Sequence, residues 1–129
     1  MKKLLLIVTL LFSTLMFSTP SYGEWTKVSE SVKGDTTYMD FETIRHHGGY
    51  VYFWDLIDYV KSTESVYVSQ KTYHQVDCNL FRFKYLSIIN HKEPMGGGTG
   101  RPSNLDNNTW VYPPPGTVGA IKLKEVCNH

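Results

Sequence analysis

Two strand-forming runs meet at a single cysteine. Val66 to Val76 and Leu80 to Ile89 are both rich in β-branched and aromatic residues, and neither contains Gly or Pro. That composition reads as two strands. Between them lies Asp77-Cys78-Asn79, which can turn the chain because Asp and Asn side chains bond nearby backbone. The pattern predicts the central hairpin of a sheet, with one half of a disulfide near its tip.

The start of the chain explains why a disulfide is expected. Met1-Lys2-Lys3 is followed by an apolar run from Leu4 to Phe17 and by Ser21-Tyr22-Gly23. A basic opening, a short apolar run and small residues form a secretory signal peptide. The run is shorter than the roughly 20 apolar residues of a membrane span. Cleavage is expected after Gly23, so residues 1–23 are the signal and residues 24–129 one small domain without a transmembrane helix. No Cys stands at the signal's end, so no lipid attachment is expected. The exported chain is expected to be periplasmic or secreted. Its only cysteines, Cys78 and Cys127, are therefore expected to pair. In the chain-entropy view, a loop of this length contributes on the order of 4 kcal/mol.

Charge narrows the partner. Two of the 13 Lys and Arg leave with the signal, so 11 remain against 12 Asp and Glu, a net charge of −1. A nucleic-acid binder would show a basic stripe, so no nucleic-acid partner is expected. Protein and small-molecule partners remain open.

Along the rest of the chain, Trp25–Val28 and Thr36–Met39 read as short strands. Asp40 can cap one helical turn that carries Phe41 and Ile44. Arg45-His46-His47-Gly48-Gly49 reads as a turn. Tyr50–Val60 has aromatic or branched residues on both period-2 faces, which predicts a central strand with little exposed surface. Lys61–Ser65 is a polar connection. Asn90–Asn108, with its Gly, Pro and Asn, reads as a long loop and the most flexible region. Trp110–Tyr112 could return as a short strand before Pro113-Pro114-Pro115. Thr117 is placed to cap a helix over Val118–Cys127. Ala120, Leu123 and Cys127 form one stripe facing the sheet, where Cys127 can meet Cys78. Lys122 and Lys124 lie off that stripe and are expected in solvent. The fold class is α+β: an antiparallel sheet of about five to six strands, with the C-terminal helix packed on one face.

Little in the sequence suggests chemistry. His46-His47 has no partners at metal-ligand spacing, and His74, His91 and His129 are scattered; all read as turn or surface histidines. Gly96-Gly97-Gly98-Thr99-Gly100-Arg101 lacks the Lys-Ser/Thr ending of a phosphate loop and precedes Pro102 rather than a helix. It reads as a flexible loop, and Gly96, Gly97, Gly98, Gly100 and Arg101 form the candidate binding loop. Asp55 and Asp58, three apart on a strand, face opposite sides and make no carboxylate pair. Tyr38, Tyr50, Tyr52, Tyr59, Tyr67, Tyr73 and Tyr85 could form an exposed aromatic face, but such residues are more often core or edge positions. No nucleophile-elbow Ser is present, and both cysteines are assigned to the bridge. No catalytic residue, metal or cofactor is expected.

Four stretches in order carry a family likeness. They are Trp25-Thr26-Lys27-Val28; Tyr38-Met39-Asp40-Phe41-Glu42-Thr43-Ile44; Ser69-Gln70-Lys71 through Asp77-Cys78 with Arg82 and Tyr85; and Pro115-Gly116-Thr117 leading to Val126-Cys127. Together they resemble the bacterial surface-adhesin E family. The resemblance implies an antiparallel sheet crossed by a C-terminal helix. It also implies attachment to host extracellular-matrix or plasma proteins. The expected function is thus a non-enzymatic exported binding domain. The alternative is a periplasmic accessory domain that binds an envelope protein or small ligand. A small hydrolase is disfavoured because no acid, base and nucleophile set is visible.

Overall fold

The computed structural model describes residues 24–60, 66–105 and 109–129. The expected signal, its cleavage site and the Lys61–Ser65 connection lie outside the described residues. The strands are β1 (Thr26–Glu30), β2 (Thr36–Met39), β3 (Arg45–His47), β4 (Tyr50–Asp58), β5 (Ser69–Asp77), β6 (Arg82–His91) and β7 (Gly100–Pro102), followed by the helix α1 (Val118–Cys127). They form one seven-stranded sheet in the order β1-β2-β4-β5-β6-β7, with β3 paired to β4. Every pairing is antiparallel, as the α+β reading requires.

β2 and β3 lie end to end along the same side of β4, since Met39 faces Asp55 and Arg45 faces Tyr52. They are one strand interrupted by a 3-10 turn at Phe41–Thr43, whose Glu42 N–H donates to the Asp40 carboxylate at 3.1 Å. Arg45–His47 is therefore strand, not turn. Only Gly48 (φ 59°) and Gly49 (φ 82°) reverse the chain, and two positive φ angles are what a tight type I′ hairpin needs. At the other hairpin the Asp77 carboxylate accepts from Asn79 N–H (3.1 Å) and Leu80 N–H (3.2 Å), the side-chain turn expected there. The β5–β6 register shifts at Tyr73/His74, an irregularity that no residue pattern announces.

The long loop expected over Asn90–Asn108 is much reduced. β6 runs on to His91, Pro94–Gly96 makes a 3-10 turn, and β7 returns along β6; residues 106–108 lie outside the described set. The segment is tied down by Ser69, whose hydroxyl donates to Glu93 O (2.6 Å) and accepts from Gly96 N–H (2.9 Å). Asp58 accepts from Met95 N–H at 2.9 Å. Glycine serves close packing here rather than looseness. A Cβ on Gly100 would lie 2.4 Å from Ile89 Cγ2 and 2.9 Å from His91 Cε1. Gly100→Ala is expected to lower stability by about 1–3 kcal/mol through this overlap. A denaturation midpoint equal to wild type would refute that.

The core lies between the sheet and α1. Met39, Val51, Phe53, Val76 and Phe83 from the strands pack with Leu123 and Val126 from the helix. Thr117 caps the helix, its hydroxyl oxygen accepting from Ala120 N–H (3.3 Å) while the hydroxyl donates to Pro114 O (2.6 Å). Cys78 at the hairpin tip and Cys127 in the last helical turn form the expected disulfide, with Cα atoms 5.7 Å apart.

Candidate functional site

The two faces of the sheet carry different polar chemistry. On the helix face a carboxylate, an imidazole and an ammonium are sealed in the core. Asp55 is 0%, His74 1% and Lys122 7% exposed. The same Asp55 oxygen, Oδ2, accepts from His74 Nε2 at 2.9 Å and from Lys122 Nζ. A carboxylate only accepts, so Nε2 must carry the imidazole proton. Burial opposes ionisation of Asp55, but His74 and Lys122 outweigh it and hold the carboxyl below its usual range. Burial also pushes His74 below the ordinary imidazole value of 6.5, against the pull of Asp55. His74 is thus neutral in the core, not a surface histidine, and Lys122 is buried rather than solvated. Asp55 Oδ1 and His74 Nδ1 have no protein partner and no contact with solvent. These groups are closed off from solvent, and Lys122 links α1 to the sheet through Asp55.

The opposite face is divided. At one end the Pro94–Gly96 turn lies over Leu56, which is 0% exposed. At the other end, near the hairpin tips, the face is uncovered by any described element. Register builds two rows of side chains there. One row is Arg45, Tyr52, Gln75 and Lys84, each directly opposite the next. The other holds His47 opposite Tyr50, and Asp77 opposite Arg82. The bridge between Phe83 and Val111 continues both rows, setting Trp110 and Tyr112 on the face beside Lys84 and Arg82.

The side chains interlock. Arg82 Cζ lies 4.2 Å and Lys84 Nζ 4.5 Å from the Trp110 ring centre, within cation–π range. Arg82 also donates to Asp77 (2.9 Å) and to the Tyr112 hydroxyl (3.3 Å). Burial opposes ionisation of Asp77, yet the N–H donors of Leu80 and Asn79 and the Arg82 guanidinium hold its carboxyl below the usual value. Tyr52 and Tyr73 stack at 6.1 Å, and Trp54 meets Tyr73 at 4.8 Å. Tyr50 approaches Trp110 at 5.7 Å. Tyr112 remains 60% exposed.

Of the seven tyrosines, Tyr50, Tyr52 and Tyr73 lie half-buried on this face, closer to the core-or-edge reading than to an exposed aromatic surface, whereas Tyr85 points to the helix side beside His74. Trp54, Arg82, Lys84, Trp110 and Tyr112 join this face beyond the site residues expected from sequence. The signal was present in the period-2 sets Tyr50-Tyr52-Trp54 and Arg82-Lys84. Asp55 and Asp58 do face opposite sides. The candidate loop lies elsewhere: Gly98, Gly100 and Arg101 line a cavity of about 600 Å³ with Tyr67, Lys92, Glu93 and Thr99, while Gly96 and Gly97 do not line it. Among the described residues no three His, Cys, Asp or Glu side chains converge as a metal site needs. Nor is any helix among them long and apolar enough to cross a membrane.

This architecture is shared with solved proteins. Crystal form II of Haemophilus influenzae protein E superposes with a TM-score of 0.65 at 16% identity, covering 85% of this chain and 91% of that one. A second H. influenzae protein E structure gives 0.63 at 16% identity, covering 85% and 88%. The crystal structure of protein E from non-typeable H. influenzae gives 0.59 at 16% identity, covering 86% and 79%. At such identity the likeness speaks for the fold. Comparison with curated protein sequences returns no match. The surface-adhesin protein E family model, however, matches residues 25–128, nearly the whole described domain. The chain belongs to the surface-adhesin protein E family.

Proposed function

We propose that the chain is an exported, non-enzymatic binding domain that attaches to a protein partner through the uncovered half of its sheet. The observation that carries this reading is the cluster of Arg82, Lys84, Trp110 and Tyr112 on that half. Trp, Tyr and Arg are the residues enriched at protein interfaces and at their energetic centres. Family membership supports a surface-attachment role, with a host extracellular protein as the partner.

The test is capture of partners from host-matrix and envelope extracts by the disulfide-intact protein. Trp110→Ala and Tyr112→Ala are each expected to weaken capture on the order of 30-fold, the loss typical of an interface hot spot. Capture undiminished in both variants would remove this face as the docking surface. If protease added to intact cells leaves the protein uncut and the medium contains none, the host partner is wrong.

A second reading has its own support. The cavity lined by Lys92, Glu93 and Arg101 has the size of small-molecule sites and presents both charge signs. It suits a periplasmic accessory domain that binds a small polar ligand through the candidate loop. Under that reading only envelope extracts yield a partner, and Arg101→Gln, not Tyr112→Ala, abolishes ligand-induced thermal stabilisation.

A further inference from the structure

We propose that the open face recognises an extended acidic segment of its protein partner, two of whose carboxylates pair with Arg45 and Lys84. This rests on the reading of that face as the docking surface. Among the described residues three cations stand on the uncovered half, Arg45, Arg82 and Lys84, against one carboxylate, Asp77. Arg82 is already neutralised by Asp77 at 2.9 Å. Among the described residues neither Arg45 nor Lys84 forms an ion pair. Two uncompensated positive charges therefore remain, at the two ends of the row Arg45–Tyr52–Gln75–Lys84.

Each charge sits in a prepared setting. Arg45 lines a cleft of about 140 Å³ with His47, Tyr52 and Tyr73, room for one carboxylate side chain with donors around it. Lys84 is held against the Trp110 ring, which orients the ammonium without neutralising it. Between them, Gln75 Nε2 donates to the Tyr52 hydroxyl at 3.2 Å, a neutral hydrogen-bonding bridge suited to peptide groups.

The spacing sets the ligand's length. Arg45 and Lys84 are three strand intervals apart, roughly 14 Å at about 4.8 Å per interval. An extended chain rises about 3.3 Å per residue, so carboxylates roughly four residues apart match. A polyanion fits less well. It is held by a continuous stripe of cations, and here neutral Tyr52 and Gln75 separate the two charges. Nucleobases need open ring faces, but these rings pack against one another or against the cations.

The test is an NMR titration of the disulfide-bonded protein. The probes are the synthetic peptide Glu-Thr-Ser-Thr-Glu, the same peptide with both Glu replaced by Gln, a peptide with adjacent Glu residues, and a heparin oligosaccharide. The spaced-Glu peptide should shift Arg45, Lys84 and the Trp110 indole. The Gln and adjacent-Glu peptides should bind at least tenfold more weakly. Arg45→Gln and Lys84→Gln should each weaken the spaced-Glu peptide about tenfold and flatten its salt dependence. Equal binding of the Glu and Gln peptides, indifference to both substitutions, or binding of heparin alone overturns the proposal. Partner capture that depends on Trp110 and Tyr112 but not on Arg45 and Lys84 leaves the docking face intact and removes only the acidic segment. Capture indifferent to all four removes both.

Discussion

Lys122→Met is expected to lower the unfolding free energy by about 3–5 kcal/mol, the usual cost of leaving a buried charge without its partner. That is a large part of the about 5–15 kcal/mol holding a typical domain together. The carboxylate of Asp55 is 0% exposed and would keep only its hydrogen bond from His74. Adding Asp55→Asn to Lys122→Met should recover most of the loss, because the buried charge is then gone while an acceptor for His74 remains. Urea denaturation of the three proteins decides it. A single variant within about 0.5 kcal/mol of wild type, the range of ordinary surface changes, would show that the ion pair does not hold the helix.

The same cluster is expected to shape the acid response. His74 lies below its ordinary value of 6.5 in the folded protein. The unfolded chain therefore takes up a proton below pH 6.5 that the folded state refuses. Stability is intact above that pH and falls as pH drops, by up to about 1.4 kcal/mol per pH unit, until the folded imidazole also titrates. Asp55 is held below 3.8, so its contribution is lost only at still lower pH. His74→Gln should flatten the curve between pH 6.5 and 5. Lys122→Met should shrink the slope too, since Lys122 adds to burial in disfavouring imidazolium. Unchanged slopes in both variants would assign the acid response to other groups.

Removal of the disulfide by Cys78→Ala/Cys127→Ala is expected to cost about 2–5 kcal/mol. The bridge closes a sequence separation of 49, for which loop entropy alone suggests about 4 kcal/mol. The helix has 10 residues, fewer than the roughly 12–15 at which isolated helices become even marginal in water. In the double variant its amides should exchange fastest among the regular elements, while the β5–β6 hairpin keeps its protection. An unchanged melting temperature would show that the core contacts of Leu123 and Val126 suffice.

Strands were readable where hydrophobic content was dense. Tyr50–Val60 and the Cys78 hairpin announce themselves by β-branched and aromatic residues, and Val118–Cys127 by its cap and apolar stripe. The stripe expected from sequence is centred too far toward Cys127. Ala120, Lys122, Leu123 and Val126 are the buried positions, an arc shifted toward Val126 and wide enough to include a lysine. A Lys stem lies along apolar surface readily, and only the distant Asp55 reveals why its ammonium stays inside. The burial of His74 escapes a local reading for the same reason: the groups around it come from β4 and α1, and proximity of that kind leaves no local trace. The Gly-rich segment misled in another way. Glycine signals freedom in sequence, yet Gly100 is required because β6 leaves no room for a Cβ. The two rows on the uncovered face are half visible in the sequence, since alternation marks a face but not whether another element covers it.

The bridge between Cys78 and Cys127 has a mechanical consequence. Tension applied between Glu24 and His129 would pass through the sulfur atoms and bypass everything between them. β1 to β5 could be drawn out strand by strand, but the covalently closed remainder could not lengthen. Arg82, Lys84, Trp110 and Tyr112 belong to that inextensible ring, whereas Arg45, Tyr50 and Tyr52 belong to the yielding part. Under load the uncovered face would come apart on its Arg45 side first, and its tryptophan side would hold its shape longest.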